Sequence, residues 1–185
     1  MTRVRLRPAH AADTLADIYR APHDHTRWRD HEIRVDRTID LARRLTGGPL
    51  PSGADLSCGS GKVLRSLDVL ERHFGDLAPG YQYQGPLEGT LEQIEPVSVY
   101  ICTETLEHID DPDAVLRQIR TKTQLLVLST PIDAWRDNNV EHYWAWSRAD
   151  VEEMLTAAGF RVELYEELDF RPEGLTYCYG IWGCR

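Results

Sequence analysis

Two glycines follow an acidic residue in the stretch Asp55-Leu-Ser-Cys-Gly-Ser-Gly61, and this spacing can hold a nucleotide-like ligand. Gly59 and Gly61 tolerate positive φ and lack a Cβ atom, so a ligand can approach the backbone closely. A helix that begins just after Gly61 would direct free N–H groups at the same ligand. The same turn also ends ordinary strands, so the stretch taken alone predicts either a ligand site or a simple turn.

Histidines and cysteines give no comparable indication of a metal site. His23, His25 and His31 are spaced by two and six residues, which does not place them on one helical turn with a carboxylate. The four cysteines lie far apart, without a Cys-x-x-Cys pair, so no zinc cage is indicated. We therefore expect no metal ion, reduced and mostly buried thiols, and histidines on the surface or in a substrate pocket.

The composition is that of one globular domain. The 185 residues are 42% hydrophobic and 28% charged, which suffices for a single sizeable core. The sequence has no run of about 18 apolar residues, and its first residues lack the apolar segment of a secretory signal, so we expect a cytoplasmic protein. A net charge of -9 argues against broad electrostatic binding of nucleic acid.

Apolar periodicity divides the chain into alternating helices and strands. Helices are predicted at 11–19, 28–45, 62–75, 110–119 and 147–159. Strands are predicted at 54–57, 81–84, 97–102, 124–129, 161–165 and 176–182, and the segment 87–94 is consistent with a strand or a turn of helix. In the helix at 62–75, Leu64, Leu67 and Leu70 would face inward.

This alternation predicts an α/β sandwich with a mostly parallel sheet, in which the last strand pairs antiparallel with the one before it. Ligands of such sheets bind at the carboxyl ends of the strands, near the switch in strand order. The segments 58–61, 84–88, 103–108 and 129–135 are therefore expected around one crevice.

With these elements in order, the chain resembles the class I S-adenosylmethionine-dependent methyltransferases, in particular the small-molecule branch often labelled type 11 or type 12. The stretch from Asp55 to Gly61 is similar to the family's first motif, with Ser57 standing where its first glycine would be. The stretch Glu104-Thr-Leu-Glu-His108 is similar to the family's E-x-L-E-H segment and is more specific. Leu126-Val-Leu-Ser-Thr-Pro131 and the helix end at Phe160 also fit.

The resemblance implies a Rossmann-like three-layer sandwich in a single domain, with a helical lid at 1–48 and an α/β core at 49–185. The family normally has two strands and a helix between its first helix and the central strand, and an acidic residue ending the second strand binds the ribose. Here the interval 76–97 is so short that a strand and a helix are expected to be shortened or missing. Glu88 is the nearest ribose candidate, with Gln84 and Glu92 as substitutes, unless these are solvated loop residues.

The family's cofactor is S-adenosyl-L-methionine, and S-adenosyl-L-homocysteine is its product. Asp55 would order the turn or meet the cofactor's ammonium group, or would be an ordinary turn carboxylate. His108 would lie near the crevice with a catalytic role, or would cap or pack a helix. The residues expected at the cofactor are Asp55, Ser57, Cys58, Gly59, Ser60, Gly61, Gln84, Glu88, Thr103, Glu104 and Thr105.

The segment 135–146 is too aromatic and polar for an ordinary connector, and it is expected over the mouth of the crevice. His142 would act as a general base or position the acceptor, while Asn139 and Tyr143 would donate hydrogen bonds to it. Trp144 would wall the pocket, unless the aromatic residues of the segment only pack it on the sheet edge.

The N-terminal segment is expected to fold over the acceptor as a lid. Tyr19, Trp28 and His31 would then contact the substrate, although Trp28 is equally suited to anchor the helix that follows it.

Together these expectations describe in-line methyl transfer to a small molecule by a monomer or homodimer without nucleic-acid or membrane partners. A dinucleotide-dependent oxidoreductase fits less well, because Leu64 stands where its third glycine would be and Asp76 is expected on a turn. A catalytically inactive module that binds the cofactor or a partner remains the alternative.

Overall fold

The structure is a computed structural model that describes residues 3–21, 29–174 and 177–185. The strands are β1 Val4–Arg5, β2 Leu50–Asp55, β3 Val69–Asp76, β4 Tyr83–Gln84, β5 Val99–Thr103, β6 Leu126–Ile132, β7 Trp144–Ala145, β8 Val162–Asp169 and β9 Cys178–Cys184. The helices are α1 Ala12–Ile18, α2 Arg29–Thr46, α3 Lys62–Arg65, α4 Leu87–Gln93, α5 Pro112–Lys122 and α6 Arg148–Ala157, and short 3-10 helices span Leu106–His108 and Arg171–Glu173.

Seven strands form one sheet in the order β4-β3-β2-β5-β6-β9-β8. The pairs from β4 to β6 are parallel, while β9 runs antiparallel to both of its neighbours. β1 and β7 form a separate antiparallel pair. The predicted Rossmann-like sheet with an antiparallel C-terminal strand is therefore confirmed.

The two faces of the sheet carry separate apolar clusters, which makes a three-layer sandwich. Along β5, Tyr100 and Cys102 belong to the cluster under α4, α5 and α6. Val99 and Ile101 point to the opposite face, where the apolar side of α2 packs. Because α2 packs against the sheet in this outer layer, it does not act as a lid. Of the segment 1–48 predicted as the lid, the part before α2 remains the candidate, and its helix α1 buries no residue.

The prediction of one helix over residues 62–75 is wrong. A helix of four residues, α3, is followed by the strand β3, which pairs in parallel with β2 from Leu50 and Val69 onward. Leu70, expected to face inward, is 82% exposed, whereas Val69 is buried at the sheet. The apolar spacing of 63, 64, 67 and 70 fits a helix as well as it fits a turn followed by a strand, so periodicity could not separate them.

The short interval before β5 keeps a strand and omits a helix. β4 is present with two residues at the edge of the sheet, and residues 77–82 connect β3 to β4 without a helix. The ambiguous segment 87–94 is mostly the helix α4. Asp76, expected on a turn, is the last residue of β3.

The other predicted elements are present near their expected bounds. Asp111 caps α5 by accepting a hydrogen bond from the Ala114 N–H at 2.9 Å, and Ser147 and Asp150 form the capping box of α6. β6 continues through Pro131 to Ile132, beyond its predicted end. Among the described helices, none has both the length and the apolar character that a membrane span requires.

Candidate functional site

The carboxyl ends of β2, β3, β5 and β6 open into a cavity of about 920 Å³. All four segments predicted around the crevice contribute to its lining, and α1 and α2 contribute from the N-terminal side. The switch in strand order between β2 and β5 lies beneath it, as expected for an α/β sheet.

Most of the predicted site residues line this cavity. They are Tyr19, His31, Asp55, Ser57, Cys58, Gly59, Ser60, Glu88, Thr103, Glu104, Thr105, His108, Asn139, His142 and Tyr143. Gly61, Gln84 and Trp144 do not line it, and Trp28 lies outside the described residues.

The glycine turn has the left-handed backbone that its sequence requires. Gly59 has φ 50° and Gly61 has φ 67°. A Cβ atom on Gly61 would lie 2.8 Å from the Phe74 ring, whereas one on Gly59 would meet no atom of the described residues within 4 Å. Gly61 is thus required by packing under the turn, and Gly59 leaves the backbone open to the cavity.

Asp76 is the acidic residue that the sequence reading missed. One carboxylate oxygen accepts the Gly59 N–H at 2.8 Å, and the other accepts the Ala78 N–H at 2.9 Å. Each oxygen keeps a further lone pair for a ligand hydroxyl. Asp76 ends the strand next to β2, where the resemblance places a ribose-binding acid, and assigning 69–76 to a strand would have found it.

Asp55 is a buried acid at the end of β2. It is 2% exposed, and its carboxylate accepts the Ser57 N–H at 3.4 Å. Burial raises the pKa of Asp55 to about 8, and the nearby charge of Asp76 adds to this effect. A cationic group in the cavity would favour the ionised form of this carboxyl, so Asp55 and Asp76 together suit a ligand with an ammonium group and a diol.

Glu104 is held by a buried arginine that the sequence reading also missed. Its φ of 52° is a strained value for a residue other than glycine. One carboxylate oxygen accepts from the Ser129 hydroxyl at 2.8 Å, and the other lies 2.6 Å from the Arg34 guanidinium of α2. Arg34 also lies over the Tyr179 ring at 4.7 Å, so the helix layer is tied to the end of β5.

His142 and His108 meet on the opposite side of the cavity. The rings lie perpendicular, with centroids 4.7 Å apart, and His142 Nδ1 is 2.6 Å from the Asp137 carboxylate. Burial alone would lower the pKa of His142, but the hydrogen bond to Asp137 and the charges of Glu107 and Asp137 outweigh it and raise the pKa. His142 is therefore more basic than an ordinary histidine.

Glu107 completes this side of the cavity, although it was not among the predicted site residues. It is 1% exposed, and its carboxylate accepts a hydrogen bond from the Thr130 hydroxyl at 3.0 Å. Burial, together with the nearby charge of Glu104, raises the pKa of Glu107 to about 8. Glu107, His108 and His142 offer ligand atoms within 4.8 Å of one another, an arrangement able to hold a metal ion.

Two predicted positions need correction. Trp144 does not wall the pocket, because its indole N–H donates to the Ile109 carbonyl at 2.9 Å and the guanidinium groups of Arg3 and Arg5 lie over its ring. Gln84 is an exposed residue of the edge strand β4, paired with Asp76.

The side of the cavity formed by His142 and the loop around it is tied to the N-terminal segment. The Tyr143 hydroxyl accepts the His10 N–H at 3.1 Å, and the Tyr19 phenol is hydrogen-bonded to Glu141. The Arg7 guanidinium donates to the carbonyls of Asp137, Asn139 and His142. Asn139 also accepts the Glu141 N–H through its side chain, so it shapes the loop.

A family model described as a methyltransferase domain matches residues 25–165. A comparison with curated proteins finds no match.

Several solved structures share the fold. One is the 1,6-didemethyltoxoflavin-N1-methyltransferase of Burkholderia thailandensis, with bound 1,6-didemethyltoxoflavin and S-adenosylhomocysteine, at 15% identity and a TM-score of 0.70, covering 99% of this chain and 94% of that one. The N-methyltransferase NodS from Bradyrhizobium japonicum, in complex with S-adenosylhomocysteine, is similar at 14% identity and a TM-score of 0.68, covering 94% of this chain and 96% of that one. The small RNA methyltransferase HEN1 is similar at 17% identity and a TM-score of 0.66, covering 89% of this chain and 26% of that one.

Proposed function

Because the chain belongs to the class I S-adenosylmethionine-dependent methyltransferases, we propose that it transfers a methyl group to a hydroxyl oxygen of a small molecule. The observation that carries this proposal is the pairing of two half-sites in one cavity. The glycine turn with Asp55 and Asp76 forms one half, and His142 with its Asp137 partner forms the other.

S-adenosyl-L-methionine is the cofactor, and when bound it supplies an electrophilic methyl group on a positively charged sulfur. The open backbone at Gly59 admits the cofactor, and Asp76 has free lone pairs for the ribose hydroxyls. Asp55 meets the ammonium group from beneath the turn.

Methylation of a hydroxyl requires that the hydroxyl lose its proton. His142 is suited to accept it, because Nδ1 is engaged by Asp137 and Nε2 remains as the basic nitrogen. His108 and Tyr143 line the same side and position the acceptor. The remaining task is alignment of the acceptor oxygen with the methyl group, which the walls of the cavity provide.

The acidic lining supports a small acceptor. Among the described residues, nine carboxyl groups line the cavity, against the guanidinium of Arg34 and the ammonium of Lys62. A phosphate backbone would be repelled by this lining. The segment with α1 and Tyr19 closes the cavity from the N-terminal side and serves as the lid.

Calorimetry and methyl-transfer assays with His142→Ala test the proposal. S-adenosyl-L-homocysteine should bind wild type and variant within about twofold, because His142 lies on the acceptor side. Methyl transfer from labelled cofactor to a panel of hydroxylated small molecules should fall about a hundredfold or more.

His73→Ala is the matched control, since His73 lies on β3 and is not among the cavity-lining residues. Its activity should equal that of the wild type. A His142 variant that loses affinity for S-adenosyl-L-homocysteine would contradict the assignment to the acceptor side, and a wild type that does not bind it would support the inactive module.

A further inference from the structure

Three side chains of the types that ligate transition metals converge on the acceptor side of the cavity. Glu107 and His108 lie in the 3-10 helix after β5, and His142 lies just before β7. The Tyr143 N–H donates to the Glu107 carbonyl at 2.6 Å, so the backbone joins the two segments directly. This contact holds all three ligand atoms within 4.8 Å of one another.

Glu107 has a carboxylate oxygen that no described residue contacts by a hydrogen bond. Its Oε2 accepts from Thr130, whereas Oε1 is buried and has no hydrogen-bond partner among the described residues. Leaving a buried carboxylate oxygen without a partner is unfavourable, so a side chain kept in this state indicates a bound group. A cation beside the two histidines would satisfy it.

His142 has the surroundings of a metal-ligating histidine. Its Nδ1 is held by Asp137, and Asp137 is itself fixed by the Asn139 N–H at 2.7 Å. Metal-bound histidines usually donate the second ring N–H to a carboxylate in this way, which orients the ring and leaves Nε2 for the metal. Glu104, held by Arg34 and Ser129, adds a negative charge next to the cluster.

We propose that Glu107, His108 and His142 bind one divalent transition-metal cation. Two imidazoles and one carboxylate suit Mn²⁺, Fe²⁺, Co²⁺ or Zn²⁺ better than Mg²⁺ or Ca²⁺, which prefer oxygen ligands. Metal–ligand distances of about 2.0–2.2 Å require the side chains to close by about an ångström. Three protein ligands leave coordination positions open for an acceptor.

The role of this cation in the reaction rests on the proposed function. The acceptor hydroxyl occupies an open position, where the positive charge lowers its pKa and its proton passes to water. The acceptor oxygen forms a bond to the methyl carbon as the methyl–sulfur bond breaks, and the sulfur becomes a neutral thioether. His142 then serves as a ligand in place of a proton acceptor.

Titration of chelator-treated protein with Mn²⁺ and Co²⁺ tests the site directly. We expect one cation per chain, seen as loss of the free Mn²⁺ paramagnetic resonance signal and as Co²⁺ absorption bands that indicate nitrogen ligands. Glu107→Gln and His142→Ala should each weaken binding at least tenfold. Asp137→Asn, which replaces the carboxylate partner of His142 and leaves the three ligand side chains in place, should weaken binding about ten- to a hundredfold.

His73→Ala is the control and should bind both cations like the wild type. Thermal unfolding establishes that each variant is folded, and His108→Ala replaces Glu107→Gln if the latter does not fold. Absence of Mn²⁺, Co²⁺ and Zn²⁺ binding, or binding that the ligand variants leave unchanged, would overturn the metal site.

The outcomes separate this site from the proposed function. Protein that binds S-adenosyl-L-homocysteine and still transfers methyl groups after chelation refutes the catalytic role of the cation and leaves His142 as the base. Protein that binds Mn²⁺ through these residues but does not bind S-adenosyl-L-homocysteine keeps the site and refutes the methyltransferase. Loss of methyl transfer on chelation, with recovery on adding Mn²⁺ or Co²⁺, supports both.

Discussion

The Asp76 carboxylate is held in place by backbone N–H groups and lines the cavity, as a ligand-binding carboxylate does. Both of its oxygens accept backbone N–H groups from Gly59 and Ala78, so its position relative to the glycine turn is fixed. Glu88, the candidate taken from the sequence, also lines the cavity but is exposed in the first turn of α4. Between the two, we propose the fixed and nearly buried carboxylate of Asp76 as the partner of the ribose hydroxyls.

We predict that Asp76→Asn weakens binding of S-adenosyl-L-homocysteine by about ten- to a hundredfold, since hydrogen bonds to a charged group contribute about 1.5–3 kcal/mol. Glu88→Gln should weaken it less than about threefold. Isothermal titration calorimetry measures both, with circular dichroism to establish that the variants are folded. A larger effect at Glu88 would restore the original assignment.

Among the helices and strands, those whose sequence pattern fits a single type of secondary structure were predicted correctly. β5 is an uncharged apolar run, and α6 begins with the capping box of Ser147 and Asp150, so both were predicted correctly. The segment 62–75 was predicted incorrectly, because its apolar positions fit one long helix as well as they fit a short turn followed by a strand. That single error also hid Asp76, since an acid is recognised as ribose-binding only once it ends a strand.

Partners from distant elements were beyond the reach of sequence reasoning. In the sequence, Arg34 is one of several charged residues on an amphipathic helix. Its ion pair with Glu104 depends on how α2 packs over the sheet. Glu107 stood in the recognised motif, but its nearness to His142 becomes visible only when the loop before β7 is folded back.

The turn that enters α3 gives a prediction with a matched control. Gly61→Ala combines a positive φ with a contact of 2.8 Å to the Phe74 ring, whereas Gly47→Ala has nearly the same φ of 69° and no atom from the described part of the chain within 4 Å of the new Cβ. Urea unfolding should show a loss of about 1 kcal/mol at Gly47, from backbone strain alone. The loss at Gly61 should exceed it by at least about 1 kcal/mol, and equal losses would contradict the close packing.

At the scale of the whole molecule, the N-terminal segment meets the loop before β7 on the His142 side of the cavity. β1 pairs with β7, and the Leu6 N–H donates to the Tyr143 carbonyl at 2.8 Å. Arg7 then fixes the backbone around His142 through carbonyl contacts. The position of the histidine therefore depends on a residue more than a hundred positions earlier in the chain.

We predict that Arg7→Ala lowers methyl transfer about ten- to a hundredfold, because small displacements of a catalytic group are costly. Affinity for S-adenosyl-L-homocysteine should stay within about twofold, since the glycine turn is untouched. Arg5→Ala removes a neighbouring arginine that is paired with Asp110, and it should have a much smaller effect on turnover. Equal effects of the two variants, in steady-state assays, would refute a specific role for Arg7.

β6 gains one of its two neighbours in the sheet only when β9, a strand near the end of the sequence, pairs with it. β6 is buried along all seven residues, and β9 covers one of its edges only after α6 and β8 have followed in the chain. Until that insertion, β6 presents an open apolar edge that can pair with another molecule. Pairing between such distant segments is slow, so we expect the β6 edge to be exposed to aggregation until β9 is in place.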